Sequence, residues 1–164
     1  MQLIEQSEIR RSFVNSSRSR AAAVTFPRPW PPERLEDRDF LGWSDPKAPR
    51  RGYLVVDAGR YERVVAVELR LPPGTATGRQ TMCDWCQTSD APGGARLVVA
   101  QRAGARGRAG DTVGVYVCED FACSQRARQP LKPHQISVSG RGDQRIPELL
   151  ERVHSFVDRV LQVD

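Results

Sequence analysis

The clearest hydrophobic pattern lies near the end of the chain. Apolar residues recur there at i, i+3, i+4 and i+7, and the pattern continues for about four helical turns. Such a stripe predicts an amphipathic helix that packs on a core rather than one that binds a partner. Pro147 stands in the first turn, where proline is tolerated. The stripe consists of Ile146, Leu149, Leu150, Val153, Phe156, Val157, Val160 and Leu161.

Four shorter segments have the features of β-strands. Residues 52–57 contain an unbroken apolar run, and in residues 61–71 valine and leucine alternate with polar or small residues. A turn joins the two segments, so they predict an antiparallel hairpin with one buried face. Residues 96–102 and 112–117 predict a second hairpin, and the residues that connect its strands, 103–111, indicate an irregular loop.

The N-terminal part of the chain is less regular. Residues 2–14 predict a short helix with a partial apolar stripe. Prolines crowd residues 27–32, which predicts an extended, polyproline-like strap that packs on the domain through Trp30. The alternative is a ligand for an aromatic-lined groove of another protein. Two prolines within residues 45–49 mark turns.

The composition is that of a globular protein that stays in the cytoplasm. Of the 164 residues, 39% are hydrophobic and 27% are charged, and the net charge of +5 is moderate for a nucleic-acid binder. Glu5 and Glu8 interrupt the region where a secretory signal would be apolar, and no apolar run approaches about 18 residues. We therefore expect a cytoplasmic protein without membrane contact. In that compartment, paired cysteines bind metal more often than they form disulfides.

All four cysteines fall in two tight pairs, which is the strongest chemical signal in the sequence. Cys83 and Cys86 form C-x2-C, and Cys118 and Cys123 form C-x4-C. The insert between the pairs is the predicted second hairpin, which brings the chain back to where it left. Residues 119–128 predict a helix that carries Cys123. Four thiolates arranged in this way suit a structural Zn²⁺ site without an open position. A redox couple leaves one pair unexplained, and two disulfides need an oxidising compartment.

These elements predict one α+β domain over residues 1–164. It combines antiparallel strands with an embedded treble-clef-like four-cysteine zinc finger and a C-terminal amphipathic helix. The predicted parts are a short helix and proline-rich strap (1–32), a β-hairpin region (33–80), the treble-clef finger (81–130), and a loop followed by the C-terminal helix (131–164). A short strand is predicted within the loop at 136–138.

The sequence contains no recognisable catalytic motif. It lacks a Ser-His-Asp signature, an H-E-x-x-H motif and a glycine-rich phosphate loop that ends in lysine. We therefore expect a protein that is not an enzyme, has no small-molecule substrate and binds a macromolecule. Basic and aromatic groups expected at the zinc end of the domain are the candidate contacts for an acidic protein surface or for RNA phosphates. They are Arg102, Arg106, Arg108, Phe121, Arg126, Arg128 and Lys132.

Three stretches carry a family resemblance: DFLGWSDPKAPRRGYLVV, TMCDWCQT and VGVYVCEDFACS. Together they resemble the FBP-type domain. This is the C-terminal treble-clef zinc-finger domain of the FusB family of fusidic-acid-resistance proteins, which bind elongation factor G. The likeness is greatest to short actinobacterial members that consist of little else.

The resemblance implies that Cys83, Cys86, Cys118 and Cys123 hold one zinc ion. It also implies a non-enzymatic protein that binds elongation factor G and helps to free it from ribosomes stalled by fusidic acid. The resistance proteins carry an N-terminal helical bundle, whereas residues 1–32 predict only a short helix and a strap. The alternative function is an RNA-binding zinc-finger protein of the translation apparatus.

Overall fold

The computed structural model describes residues 1–73, 81–89, 91–130 and 143–162. Five strands form one antiparallel sheet in chain order: β1 (Leu41–Asp45), β2 (Ala48–Val56), β3 (Val65–Arg70), β4 (Ala95–Gln101) and β5 (Thr112–Cys118). The helices of the described ranges are α1 (Gln6–Arg11), α2 (Arg18–Ala22), α3 (Ala58–Tyr61), α4 (Gly104–Arg108), α5 (Cys123–Ala127) and α6 (Arg145–Leu161), with a 3-10 turn at Leu35–Asp37. None of these helices is long and apolar enough to cross a membrane. The predicted combination of antiparallel strands and a C-terminal helix is confirmed.

Both faces of the sheet are buried at β2 and β3, whereas the sequence predicts only one buried face. On one face, Leu54 and Val56 belong to the core cluster that contains α6. On the other face, Tyr53 and Val55 belong to a second cluster that includes Ile9 from the N-terminal segment, residues 1–30. The segment covers a face that would otherwise be open to water, so β2 reads as a continuous apolar run, whereas β3 buries Ala66 and Glu68 on that face.

The long helix α6 follows its predicted stripe closely. Its buried side chains are Leu149, Val153, Phe156, Val157 and Val160. The connection between β4 and α4 donates hydrogen bonds to the last carbonyls of α6. The Arg102 guanidinium donates to the Arg159 carbonyl, and the Ala103 N–H donates to the Val160 carbonyl over 2.8 Å. The helix end is thereby fixed to the tip of the second hairpin.

The N-terminal segment contains two short helices in place of the single helix predicted over 2–14. The proline strap, residues 27–32, bends at 28–31 and is not extended, and the peptide bonds before Pro29 and Pro31 are cis. Trp30 packs on the domain as predicted, with its ring centroid 4.7 Å from that of Phe26 and 5.5 Å from that of Trp43. Tertiary aromatic packing therefore overrides the extended preference of the prolines.

β1, α3, α4 and the 3-10 turn were also not predicted from the sequence. β1 ends at a turn where the Asp45 carboxylate accepts the N–H groups of Lys47 and Ala48 over 2.8 and 3.2 Å. β1 is too short to give a periodic signal, and the same holds for α4 within the predicted loop. The predicted strand at 136–138 lies outside the described residues.

The side chain of Asn15 fills a gap between two strands of the sheet. The Phe13 backbone bridges to Ala66 of β3, ahead of the point where β3 meets β4. The Asn15 amide then accepts the Glu68 N–H over 2.8 Å and donates over 2.9 Å to the carbonyls of Glu68 and Gln101. One side chain thus replaces the backbone pairing that β3 and β4 lack here.

Replacing Asn15 with alanine should destabilise the protein by about 2–4 kcal/mol, because one donor and two acceptors of the sheet lose their partner. Urea denaturation of the metal-loaded protein measures this loss. Asn15→Asp keeps the acceptor but loses both donated bonds, so it should also destabilise. A nearby exposed change, Ser19→Ala, serves as the control. Equal stability of Asn15→Ala and the control would show that Asn15 does not join the strands.

Candidate metal centre

The four cysteine sulfurs converge on one point. All four Sγ atoms lie within 4.8 Å of one another. The Cys83 and Cys123 Sγ atoms are 3.7 Å apart, and those of Cys86 and Cys118 are 3.5 Å apart. Sulfurs of a tetrahedral zinc site with Zn–S bonds of about 2.3 Å lie about 3.8 Å from each other. The cluster therefore has the dimensions of a four-thiolate metal site.

The first pair of ligands comes from a tight turn, the knuckle, residues 83–86. The Cys86 N–H points at the Cys83 Sγ over 3.5 Å, and the Gln87 N–H donates to the Cys83 carbonyl over 2.9 Å. Gln87 has a positive φ of 55°, which turns the chain back after the second ligand. These bonds direct both sulfurs to the same side of the turn.

The second pair comes from the strand and helix that follow. Cys118 is the last residue of β5, and Cys123 is the first residue of α5. The helix is shorter than the predicted 119–128 because Phe121 has a positive φ of 54° and the chain turns before the helix begins. Knuckle, hairpin and helix with ligands at both ends give the predicted treble-clef arrangement.

The electrostatics of the cluster call for a cation. Cys83, Cys118 and Cys123 are fully buried, and Cys86 is partly buried. Hydrogen bonds with Cys118 and Cys123 lower the pKa of the Cys83 thiol, whereas the bond with Cys118 raises the pKa of Cys123. The sulfurs thus compete for protons, and they cannot all ionise in such a small buried volume without a compensating positive charge. A divalent metal supplies that charge and needs all four as thiolates.

The knuckle is also attached to the sheet and to α6. The Asp84 carboxylate accepts the Tyr116 N–H over 2.7 Å, and the Asp84 N–H donates to the Tyr116 carbonyl over 2.8 Å. The Trp85 ring is fully buried between Phe40 and Phe156, with centroid distances of 5.2 and 5.8 Å. The sequence does not indicate these two roles, because both depend on partners more than 30 residues away along the chain.

Three of the predicted contact residues lie far from the metal centre. Arg102, Arg106 and Arg108 lie at the tip of the β4–β5 hairpin, beyond the Gln101–Thr112 pair, whereas the ligand Cys118 lies at the opposite end, in the Ala95–Cys118 pair. At about 3.3 Å per residue, the two ends are about 20 Å apart. The prediction that all these groups lie together at the zinc end is therefore wrong. Arg106 forms an ion pair of 2.6 Å with Asp111, and Arg108 is exposed.

The other predicted contact residues mostly point inward. Phe121 is 3% exposed and packs over Gly42, where an added Cβ would lie 2.7 Å from its ring. Arg126 forms two hydrogen bonds with Asp120, of 2.8 and 2.6 Å. Arg128 forms two with the nearly buried Asp39, of 2.6 and 2.9 Å. These groups stabilise the finger, so replacing the arginines should lower its stability. Lys132 lies outside the described residues.

Fold and site together define a protein with a treble-clef, four-cysteine finger built into an antiparallel sheet and closed by a C-terminal helix. The family model described as FBP C-terminal treble-clef zinc-finger matches residues 8–160, and the chain belongs to this family. The match spans nearly all of the described structure, including most of the N-terminal segment. No curated protein and no solved structure matches the chain.

Proposed function

We propose that this protein is a non-enzymatic zinc protein of the cytoplasm that binds elongation factor G and acts in translation by promoting release of the factor from the ribosome. The observation that carries the proposal is the family match over residues 8–160. The resistance proteins that the sequence resembles use this domain for that contact. Protection against fusidic acid is the corresponding biological effect.

The chemistry of the site supports zinc and a structural role for it. Four cysteines without a carboxylate or histidine among the ligands form a soft donor set, which suits Zn²⁺ and not Mg²⁺ or Ca²⁺. Four protein ligands complete a tetrahedron and leave no position for a reactive water. The metal would hold the knuckle, hairpin and helix together, and the surface around them would bind the partner.

An apolar patch near the finger is the surface that best suits a protein partner. Leu97 and Tyr116 are paired across β4 and β5, and 37% and 42% of their surfaces are exposed. Met82, which precedes the knuckle, is 52% exposed. We call the paired residues Leu97 and Tyr116 the hairpin patch; Met82 lies two residues before Asp84, which bonds to Tyr116. The N-terminal segment covers the same face of β2 but leaves the hairpin patch open. Exposed aromatic and aliphatic side chains of this kind dominate protein interfaces.

Calorimetric titration of the zinc-loaded protein into elongation factor G from the same organism should show saturable one-to-one binding. Replacing Leu97 and Tyr116 together with alanine should weaken it by roughly tenfold or more while the melting temperature is retained, because both side chains are exposed. Leu3→Ala is the matched control, since Leu3 is 59% exposed and lies in the N-terminal segment.

Absence of binding at roughly tens of micromolar would refute the proposed partner. Binding of the same protein to ribosomal RNA fragments in place of the factor would favour the RNA-binding alternative. The two outcomes are separable because the titration uses the isolated factor and the isolated RNA.

A further inference from the structure

β5 is an edge strand, and part of its outer edge is unoccupied by the rest of the described chain. The Arg102 N–H donates to the Asp111 carbonyl over 3.0 Å, which sets the hydrogen-bonding phase of the β4–β5 ladder. In that phase Val113 and Val115 bond to β4, and the backbone groups of Thr112, Gly114 and Tyr116 point outward. Edge strands with free backbone groups are templates for pairing with another chain.

The outer edge is blocked at one end and free at the other. Asp84 occupies both backbone groups of Tyr116, as described above. Within the described ranges, neither Thr112 nor Gly114 has a backbone partner on this side. The knuckle therefore ends the edge at Tyr116 and leaves two successive outward-facing residues available for strand pairing.

Gly114 lies at the centre of the free edge, and the packing of the domain does not require a glycine there. Its φ is not in the left-handed region, and an added Cβ would meet only the exposed Leu97 side chain at 3.3 Å and a carbonyl at 3.9 Å. Glycine weakens a strand interior, and it often marks a place where another backbone approaches closely. A strand added to β5 would need that close approach.

A groove runs along the same edge. It has a volume of about 470 Å³ and lies between β5 and α6. Its wall includes Asp84, Trp85, Gly114, Arg152, Ser155 and Arg159. A strand that pairs with Thr112 and Gly114 would direct alternate side chains into the groove and the others beside Tyr116. Edge strand and helix thus form the two sides of one slot.

The free positive charge in this slot belongs to α6. Arg159 is exposed, and no carboxylate of the described residues pairs with it. Arg152 donates to the Trp85 carbonyl over 3.2 Å and to Glu148 over 2.7 Å. Of the acidic groups, Glu151 pairs with Arg60 at 3.3 Å. Asp84 keeps its charge but lies at the knuckle end, bonded to Tyr116, whereas the Arg159 carbonyl accepts from Arg102 at the hairpin tip. An incoming segment therefore meets an unneutralised guanidinium, which favours a carboxylate on that segment.

We propose that the slot between β5 and α6 binds an extended acidic segment of a partner protein, which adds to β5 as a sixth strand. Main-chain hydrogen bonds to Thr112 and Gly114 provide the pairing, and Arg159 selects a carboxylate side chain. The slot does not require that the partner be elongation factor G, and it adjoins the hairpin patch at Tyr116.

Selection of random peptides of about ten residues, displayed on phage, against the zinc-loaded full chain tests this proposal. The key variant is Gly114→Pro, because the Gly114 N–H points away from β4 and its loss removes no bond of the sheet. Gly114→Ala is the matched control, since it keeps the N–H. Arg159→Glu is compared with Arg18→Glu, an exposed arginine of α2.

We expect peptides with alternating acidic and apolar residues that bind the wild type and Gly114→Ala alike. Gly114→Pro should weaken them by about tenfold or more, as loss of main-chain bonds requires. Arg159→Glu should abolish the acidic preference while Arg18→Glu retains it. Bound peptide should also slow hydrogen exchange at the Thr112 and Gly114 amides. No enrichment over an unrelated bait, or peptides whose binding leaves both amides unprotected, would overturn the proposal, whether or not Gly114→Pro folds.

Discussion

Cys118→Ser should release the metal and abolish the cooperative unfolding transition of the finger. Cys118 is the last residue of β5, so its sulfur attaches the sheet to the metal centre, and it is fully buried. Structural zinc contributes about 10–16 kcal/mol of apparent binding free energy in small fingers, which is as large as the whole net stability of a typical domain, about 5–15 kcal/mol. Metal content by mass spectrometry and thermal unfolding by circular dichroism measure the two effects.

Val117→Ala separates loss of a ligand from loss of buried volume. Val117 is as buried as Cys118 and is its neighbour in β5, but it does not belong to the sulfur cluster. Removing its two methyl groups should cost about 2 kcal/mol and leave one metal ion bound. A Cys118→Ser protein that melts like the wild type would refute the structural role of the metal.

Trp85→Ala should destabilise the protein by about 3–5 kcal/mol, the usual cost of truncating a buried aromatic residue. The Trp85 ring occupies the interior between the knuckle, Phe40 and Phe156, so it joins the metal site to α6. Denaturant unfolding of the metal-loaded protein measures the loss. Metal should still bind in the folded state, because all four sulfurs are kept.

Two comparison variants, Trp85→Phe and Trp30→Ala, test whether the loss of stability is specific to the Trp85 ring. Trp85→Phe keeps an aromatic ring and removes an indole N–H that has no partner in the described chain, so it should lose much less stability. Trp30→Ala removes a partly buried ring from the proline strap and should cost roughly half as much as Trp85→Ala. Equal losses for Trp30→Ala and Trp85→Ala would refute a special role for Trp85 in the core.

The sequence-based predictions are accurate where the interacting residues are close together along the chain, and they fail where those residues are far apart. The α6 stripe repeats over 17 residues, so its period alone fixes the buried face. The second hairpin and the two cysteine pairs are also encoded locally, because a hairpin must return the chain to where it began. For this reason the metal site could be predicted before its geometry was known.

Surface and interior were harder to tell apart for single aromatic and basic residues. Phe121 follows an acidic pair and looks exposed in the sequence, but the absence of a side chain at Gly42 lets its ring pack inside. Arg128 finds Asp39 across 89 residues of chain. Gly42 and Asp39 are too far away along the chain to belong to a local pattern. The sequence therefore does not indicate whether this phenylalanine and this arginine point inward or outward.

The sequence by itself determined the four metal ligands, the treble-clef order and the long amphipathic helix, because each depends on spacing along a short stretch. Only the tertiary structure decided that the N-terminal segment covers the second face of the sheet, that Asn15 joins β3 to β4, and that β5 keeps a free edge beside α6. These features depend on contacts between distant residues, and the physical reason is that burial and hydrogen bonding are settled only when all the elements pack together.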